Sequence, residues 1–231
     1  MIQLWWLKPE TLEATPETLA LLTPEERAQH QRFIPPLKRH EYLATRVLVK
    51  TVLGRTLGIA REEVRFTTNQ WGRPELSPAS SLRFNITHTE GLVALLLSDE
   101  HDIGVDTERL ARAPRLLALA PNVFARSELS ELAALPMDHQ AHRALTLWTL
   151  KESYIKARGM GLALALDGFA FRFDSAGAVR LEVEPRLNDD GARWQFQTLT
   201  HGEHLISTAV AFLSTEPVAI DVRPFSPTIA R

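Results

Sequence analysis

Trp148-Thr149-Leu150-Lys151-Glu152-Ser153-Tyr154-Ile155-Lys156 is the stretch from which the rest of the chain can be placed. Its composition predicts a helix, running over 139–158 and stopping before Gly159. Glu152 and Lys156 stand four apart, so they project from one face, one turn above the other. Alone, such a pair is a surface ion pair worth roughly a few tenths of a kcal/mol. Here Leu145, Trp148, Tyr154 and Ile155 crowd it, which puts it beside a wall of the core. A second acidic pair lies upstream, in Asp102-Ile103-Gly104-Val105-Asp106-Thr107-Glu108. On a strand, Asp106 and Glu108 point to one face, and adjacent carboxylates repel unless a cation lies between them. With Glu152 they make three hard oxygen ligands, a set that suits Mg²⁺. The alternative on the residues alone is a solvent-facing strand balanced by Arg109 and Arg112.

Working outward, a first strand is expected at 2–7 and a short helix at 16–22. Thr23-Pro24-Glu25-Glu26 opens a second helix with an N-cap residue, a proline at the first position and acids in the first turn. Pro35-Pro36 ends it, and a long amphipathic helix follows over 37–57, closed by Gly58. Basic residues collect there: Arg32, Lys38, Arg39, Arg46 and Lys50. They are either solvated helix faces or, for Lys38 and Arg46, eight apart, a shared face able to reach one anion. Strands are expected at 63–67, 82–87, 92–97 and 103–107, the last three as an antiparallel meander. Helix 126–135 follows a mixed segment. Strands at 169–173, 179–183, 194–199 and 205–212 form a second, mostly antiparallel sheet, and 215–231 reads as a loosely attached tail.

Helices followed by strands, twice over, give an α+β fold of two similar lobes, each a mostly antiparallel sheet packed with helices. The divisions are 1–101, 102–215 and a tail over 216–231. No sequence repeat links the lobes; they share element order only. With 231 residues, 45% of them hydrophobic, the chain can bury a sizeable core. A formal net charge of −2 offers no basic field for nucleic acid. There is no cysteine, hence no disulfide and no thiolate metal site, and no apolar run reaches membrane-spanning length. The N-terminus lacks the basic and apolar regions of a signal peptide, and a cytoplasmic protein is expected. Gly-x-Ser-x-Gly, the phosphate-binding loop and the dinucleotide fingerprint are all missing.

Together these residues resemble a known family, the 4′-phosphopantetheinyl transferases, in the larger two-lobed, surfactin-synthetase-activating type. Ile103-Gly104-Val105-Asp106-Thr107-Glu108 is similar to the family's Gly-(Ile/Val)-Asp-x-Glu, and Trp148–Lys156 to its Trp-x-x-Lys-Glu-(Ser/Ala)-x-x-Lys. Trp71-Gly72-Arg73-Pro74 and Phe84-Asn85-Ile86-Thr87-His88 resemble two further motifs, and 38–46 a basic helix found upstream in some members. The resemblance implies a pseudo-dimer of lobes in one monomeric chain. It implies transfer of phosphopantetheine from coenzyme A to a serine of an apo acyl- or peptidyl-carrier protein, with 3′,5′-ADP leaving. Asp106, Glu108 and Glu152 would hold Mg²⁺ against the pyrophosphate. Lys156, with Lys151, would neutralise phosphoryl charge, and Glu152 or a metal-associated water would be the base. Gly72, Arg73, Pro74, Thr87 and His88 would contact coenzyme A, and Lys38 and Arg46 its 3′-phosphate. Two features depart from the pattern: Glu26 and Gln29 stand where some members carry basic residues, and Thr107 is more often apolar. Carrier docking is implied after Glu108, where Arg109, Arg112 and Arg115 rim Leu116, Leu117, Leu119, Val123 and Phe124, although ordinary helix packing would use the same apolar residues. Other readings of the acids are a Mg²⁺-dependent nucleotide phosphohydrolase and a non-catalytic coenzyme-A-binding protein.

Overall fold

The computed structural model describes residues 1–212 and 218–227. In the N-terminal half, strand β1 (Ile2–Leu7) precedes helices α1 (Pro16–Ala20), α2 (Pro24–Arg32) and α3 (Pro36–Leu57). The hairpin β2 (Arg65–Thr68) and β3 (Pro74–Ser77) comes next, then β4 (Arg83–Thr89) and β5 (Leu92–Ser98). In the C-terminal half, β6 (Ile103–Arg109) leads to α4 (Ala113–Val123), α5 (Arg126–Ala134) and α6 (Met137–Arg158). Strands β7 (Phe169–Phe173), β8 (Val179–Val183), β9 (Trp194–His201), β10 (His204–Ala211) and β11 (Ile220–Pro224) complete it. The fold is α+β, as expected.

Local signals account for the helix limits. Thr23 caps α2 reciprocally with Glu26, and Gly58 and Gly159 close α3 and α6 in the left-handed conformation, with φ of 68° and 64°. Gly104 is needed for a different reason. A Cβ there would lie 2.0 Å from the Ser153 carbonyl oxygen and 2.5 Å from the Ala157 nitrogen, so only glycine lets β6 pack this closely on α6.

Sheet connectivity departs from the expected pattern in three places. β4 and β5 pair antiparallel, but β6 does not extend that ladder; it pairs with β10, in the order β6-β10-β9. β7 and β8 form a separate hairpin. The C-terminal tail is not loose where it is described: β11 pairs parallel with β1, giving β11-β1-β5-β4, and Phe225 is buried in the N-terminal core. Residues 213–217 and 228–231 of the expected tail lie outside the described residues. One apolar cluster packs α3 on β5, another packs α6 on β9 and β10, and a third joins Ile2, Leu4 and Leu92 to Ile103, Val105 and Ile206 across the seam.

Candidate active site at the seam

Strands β4 and β6 lie side by side without ladder hydrogen bonds, and side chains do the joining. Asn85 Oδ1 accepts from Val105 N at 2.9 Å, and Thr87 Oγ1 accepts from Thr107 N at 3.3 Å. Buried backbone donors must be satisfied somewhere, and here the Asn-Ile-Thr segment satisfies those of β6. At the end of the hairpin, His204 shares a hydrogen bond of 2.8 Å with the Glu90 carbonyl, and Arg109 bridges Glu90 and Glu203.

This seam positions the acids. Asp106 and Glu108 point to one face of β6, as their spacing requires, while Thr107 turns the other way and donates to the Leu205 carbonyl. Asp106 Oδ1 accepts from Lys156 Nζ at 2.7 Å and from the Thr87 hydroxyl at 3.2 Å. Its Oδ2 is buried and has no partner. Glu108 Oε1 is paired with Arg112. Glu152, one turn before Lys156 on α6, is half-buried, and no described residue donates to its carboxylate. Burial pushes the Glu152 carboxyl up, Asp106 and Glu108 push it further, and Lys156 opposes them. The three carboxylates therefore face a common region. They do not form a ready-made cage: among the described residues, no three potential ligands are grouped closely enough to hold a metal ion. The orphaned Asp106 oxygen and the mutual repulsion of three acids are nevertheless what a hard divalent cation would relieve.

Beside the acids a cavity of about 320 Å³ is lined by Trp71, Gly72, Arg73, Pro74, Ile86, Glu152 and Lys156. The turn between β2 and β3 forms one wall and is fastened to the end of α6. Asn69 Nδ2 donates to the Gly159 carbonyl at 3.1 Å and Arg73 Nη1 to the Ala157 carbonyl at 3.1 Å. Burial pulls the Arg73 guanidinium down, with Asp102 opposing. His88, at the exposed end of β4, has its pKa lowered, chiefly by loss of solvent on one side; Glu41 and Asp106 oppose the shift, and Lys38 and Lys156 add to it.

Several expected site residues sit elsewhere or do something else. Lys151 is fully buried on the far side of α6, paired with Glu128 at 2.9 Å and donating to the carbonyls of Leu166 and Phe169 at 2.8 Å each. It cannot meet a phosphate. Thr87 is buried, and its hydroxyl is committed to Thr107, Lys156 and Asp106, which uses up one donor and two acceptor sites. It clasps the seam instead of facing a ligand. Lys38 and Arg46 do not converge: Lys38 pairs with Glu41 at 2.7 Å and Arg46 with Glu26 at 3.6 Å. Leu116 and Phe124 are core residues, leaving Leu119 as the exposed large apolar side chain of α4. Asn85, quoted above only as part of a motif and given no role, is the residue that satisfies Val105 N; its alternation with Thr87 along the strand is the signal for that role.

Residues 102–209 match the sequence profile of the 4′-phosphopantetheinyl transferase superfamily, and residues 6–100 match that of the 4′-phosphopantetheinyl transferase N-terminal region. The chain belongs to the 4′-phosphopantetheinyl transferase superfamily. Among relatives, the transferase Sfp of Bacillus subtilis (strain 168) is 32% identical over 176 residues, covering 76% of this chain and 77% of Sfp. The transferase HetI of Nostoc sp. (strain PCC 7120) is 31% identical over 221 residues, covering 94% of this chain and 90% of HetI. A putative transferase of Synechocystis sp. (strain PCC 6803) is 32% identical over 200 residues, covering 81% of each chain. In this phosphopantetheinyl transferase the acids and Lys156 stand on β6 and α6, beside a cavity walled by β4 and the β2–β3 turn.

Proposed function

We propose that the enzyme moves 4′-phosphopantetheine from coenzyme A to a serine hydroxyl of an apo acyl- or peptidyl-carrier protein, with Asp106, Glu108 and Glu152 holding Mg²⁺. The observation that carries this is Glu152: an unpartnered, half-buried carboxylate facing two other acids, with Lys156 one turn away. The serine oxygen forms a bond to the β-phosphorus, the bridging bond to the α-phosphate breaks, and 3′,5′-ADP leaves with the electron pair. Such a transfer depends on positioning and charge neutralisation more than on covalent help. Mg²⁺ would neutralise charge on the pyrophosphate. Lys156, released from Asp106, supplies a cation to the transferring phosphoryl group. Glu152 accepts the serine proton, directly or through a water. Arg73 places a positive charge at the mouth of the cavity. Both sides of the site come from one chain, which supports action as a monomer.

Incubation with coenzyme A, Mg²⁺ and an apo carrier protein tests this. Addition of one phosphopantetheine to the carrier is expected; nucleotide release without it would mean that water, not serine, attacks.

A further inference from the structure

Two fully buried hydroxyls meet next to the acids. Thr149 Oγ1 on α6 and Ser207 Oγ on β10 lie 2.7 Å apart, and neither residue is reached by solvent. The Thr149 hydroxyl also lies 3.2 Å from the Leu145 carbonyl and 3.1 Å from the Thr146 carbonyl of its own helix. A carbonyl can only accept, so the Thr149 proton is committed to the helix, and the Ser207 hydroxyl donates to Thr149 Oγ1.

In the β6–β10 ladder Ser207 stands directly opposite Asp106. Opposed residues send their side chains to the same face, so Asp106 and Ser207 both turn toward α6. On the helix, Thr149, Glu152 and Lys156 follow at intervals of three and four and share one stripe. Thr149 is tied to Ser207 and Lys156 to Asp106, each at 2.7 Å, so Glu152 lies between two ties to one rung of the ladder. Among the described residues, every other hydrogen bond from an α6 side chain to β6 or β10 comes from Lys156.

The proposed chemistry moves Lys156 from Asp106 to the transferring phosphoryl group. That step undoes one tie, and the hydroxyl bridge is left to hold Glu152 at its distance from Asp106. Fixing a long helix does not by itself call for such a bridge. The thirteenth residue of α3, where α6 has Thr149, is Leu48, buried in the apolar core. Burying two hydroxyls also costs desolvation that a valine and an alanine would avoid.

We infer that Thr149 and Ser207 are positioning residues that set the spacing between Glu152 and Asp106 for Mg²⁺. The inference rests on the transferase reading above.

The test removes both hydroxyls while keeping shape, by Thr149→Val together with Ser207→Ala. Exchanging both partners leaves no buried group unpaired, so the melting temperature should stay within about 4 °C of wild type. The Mg²⁺ concentration for half-maximal carrier labelling should nevertheless rise about threefold to tenfold. The gain in calorimetric affinity for coenzyme A on adding Mg²⁺, measured without carrier, should shrink by a similar factor. Removing a group bonded directly to a metal ligand costs about 10–100-fold, and these two hydroxyls reach the acids only through the backbone. Thr149→Ser, which keeps the hydroxyl and loses a methyl, should retain the wild-type Mg²⁺ response while lowering the melting temperature. An unchanged response in the double variant, or a response that follows melting temperature across the three proteins, would overturn the inference. If the wild type labels no carrier, the transferase reading has failed, and the coenzyme A affinities decide the present one; a wild-type affinity indifferent to Mg²⁺ would also overturn it. Should the double variant not fold, Ser207→Ala alone gives the same two measurements, because Thr149 keeps its helix carbonyls and nothing is orphaned.

Discussion

The two halves of the molecule build the same support and put it to different uses. Each lays a 22-residue helix over a sheet, α3 in one and α6 in the other, and each closes it with a left-handed glycine. Counting from Pro36 and from Met137, the fifteenth residue of each is a fully buried lysine, Lys50 and Lys151. Each lysine pairs with the third residue of a nine-residue helix, Glu26 of α2 and Glu128 of α5, and each glutamate also accepts from the backbone at the start of its own helix. The difference begins one residue later. Glu152 and Lys156 on α6 correspond to Thr51 and Arg55 on α3. The face bearing Thr51 and Arg55 is covered by Phe225, just after the chain's own last strand, beside a cavity of about 440 Å³. The face bearing Glu152 and Lys156 is covered by the other half, through β4 and the β2–β3 turn. The buried pair is thus a device for fixing a long helix; the chemistry proposed above belongs to the next turn and to what closes over it.

The largest effect should come from breaking the support. Lys151→Met leaves Glu128 buried without a counter-charge and should cost about 3–5 kcal/mol in urea unfolding. Lys50→Met should cost less, because the Glu26 side chain is 12% exposed and keeps Arg46 nearby. Equal losses would mean that the two pairs are not placed as differently as their surroundings suggest. Next comes the turn that differs. Lys156→Ala should lower kcat about 10²–10³-fold, the range for removing a donor aimed at developing charge, while destabilising less than Lys151→Met. Unfolding with turnover per folded molecule preserved would reduce Lys156 to a structural ion pair with Asp106.

Gly104→Ala tests the close approach of β6 to α6. The added methyl must push the helix backbone away from the strand, at about 1–3 kcal/mol by thermal melting, with a fall in turnover because Glu152 moves relative to Asp106. The smallest effect concerns Glu152 itself. Its pKa is raised in the folded state, so its ionised form opposes folding, and stability is lost as pH rises through the folded value. Glu152→Gln should therefore raise the melting temperature slightly at neutral pH, and the gain should vanish as pH falls toward the ordinary carboxylate value of 4.5. A gain independent of pH would contradict this origin.

Much of this was legible in the chain. Thr23-Pro24, Gly58 and Gly159 mark helix ends because caps are local, and Asp106 and Glu108 share a face because strand periodicity is local. What escaped was set by distant partners. Nothing beside β6 reveals that it pairs with β10 instead of β5. Lys151 and Glu152 are adjacent in sequence, yet one helical step sends the first into the core and the second to the seam. The shared Lys50 and Lys151 positions were invisible as a repeat because the surrounding residues do not match. Leu116 and Phe124 looked exposed because a docking surface and a buried helix stripe have the same apolar composition.

The most direct test is the intact mass of an apo carrier protein after incubation with coenzyme A, Mg²⁺ and either the wild-type enzyme or Glu152→Gln, both shown to be folded. The wild type should add one phosphopantetheine per carrier, and the variant should do so at least about a hundredfold more slowly. Equal labelling by the two proteins would remove Glu152 from the chemistry, and no labelling by the wild type would contradict the account as a whole.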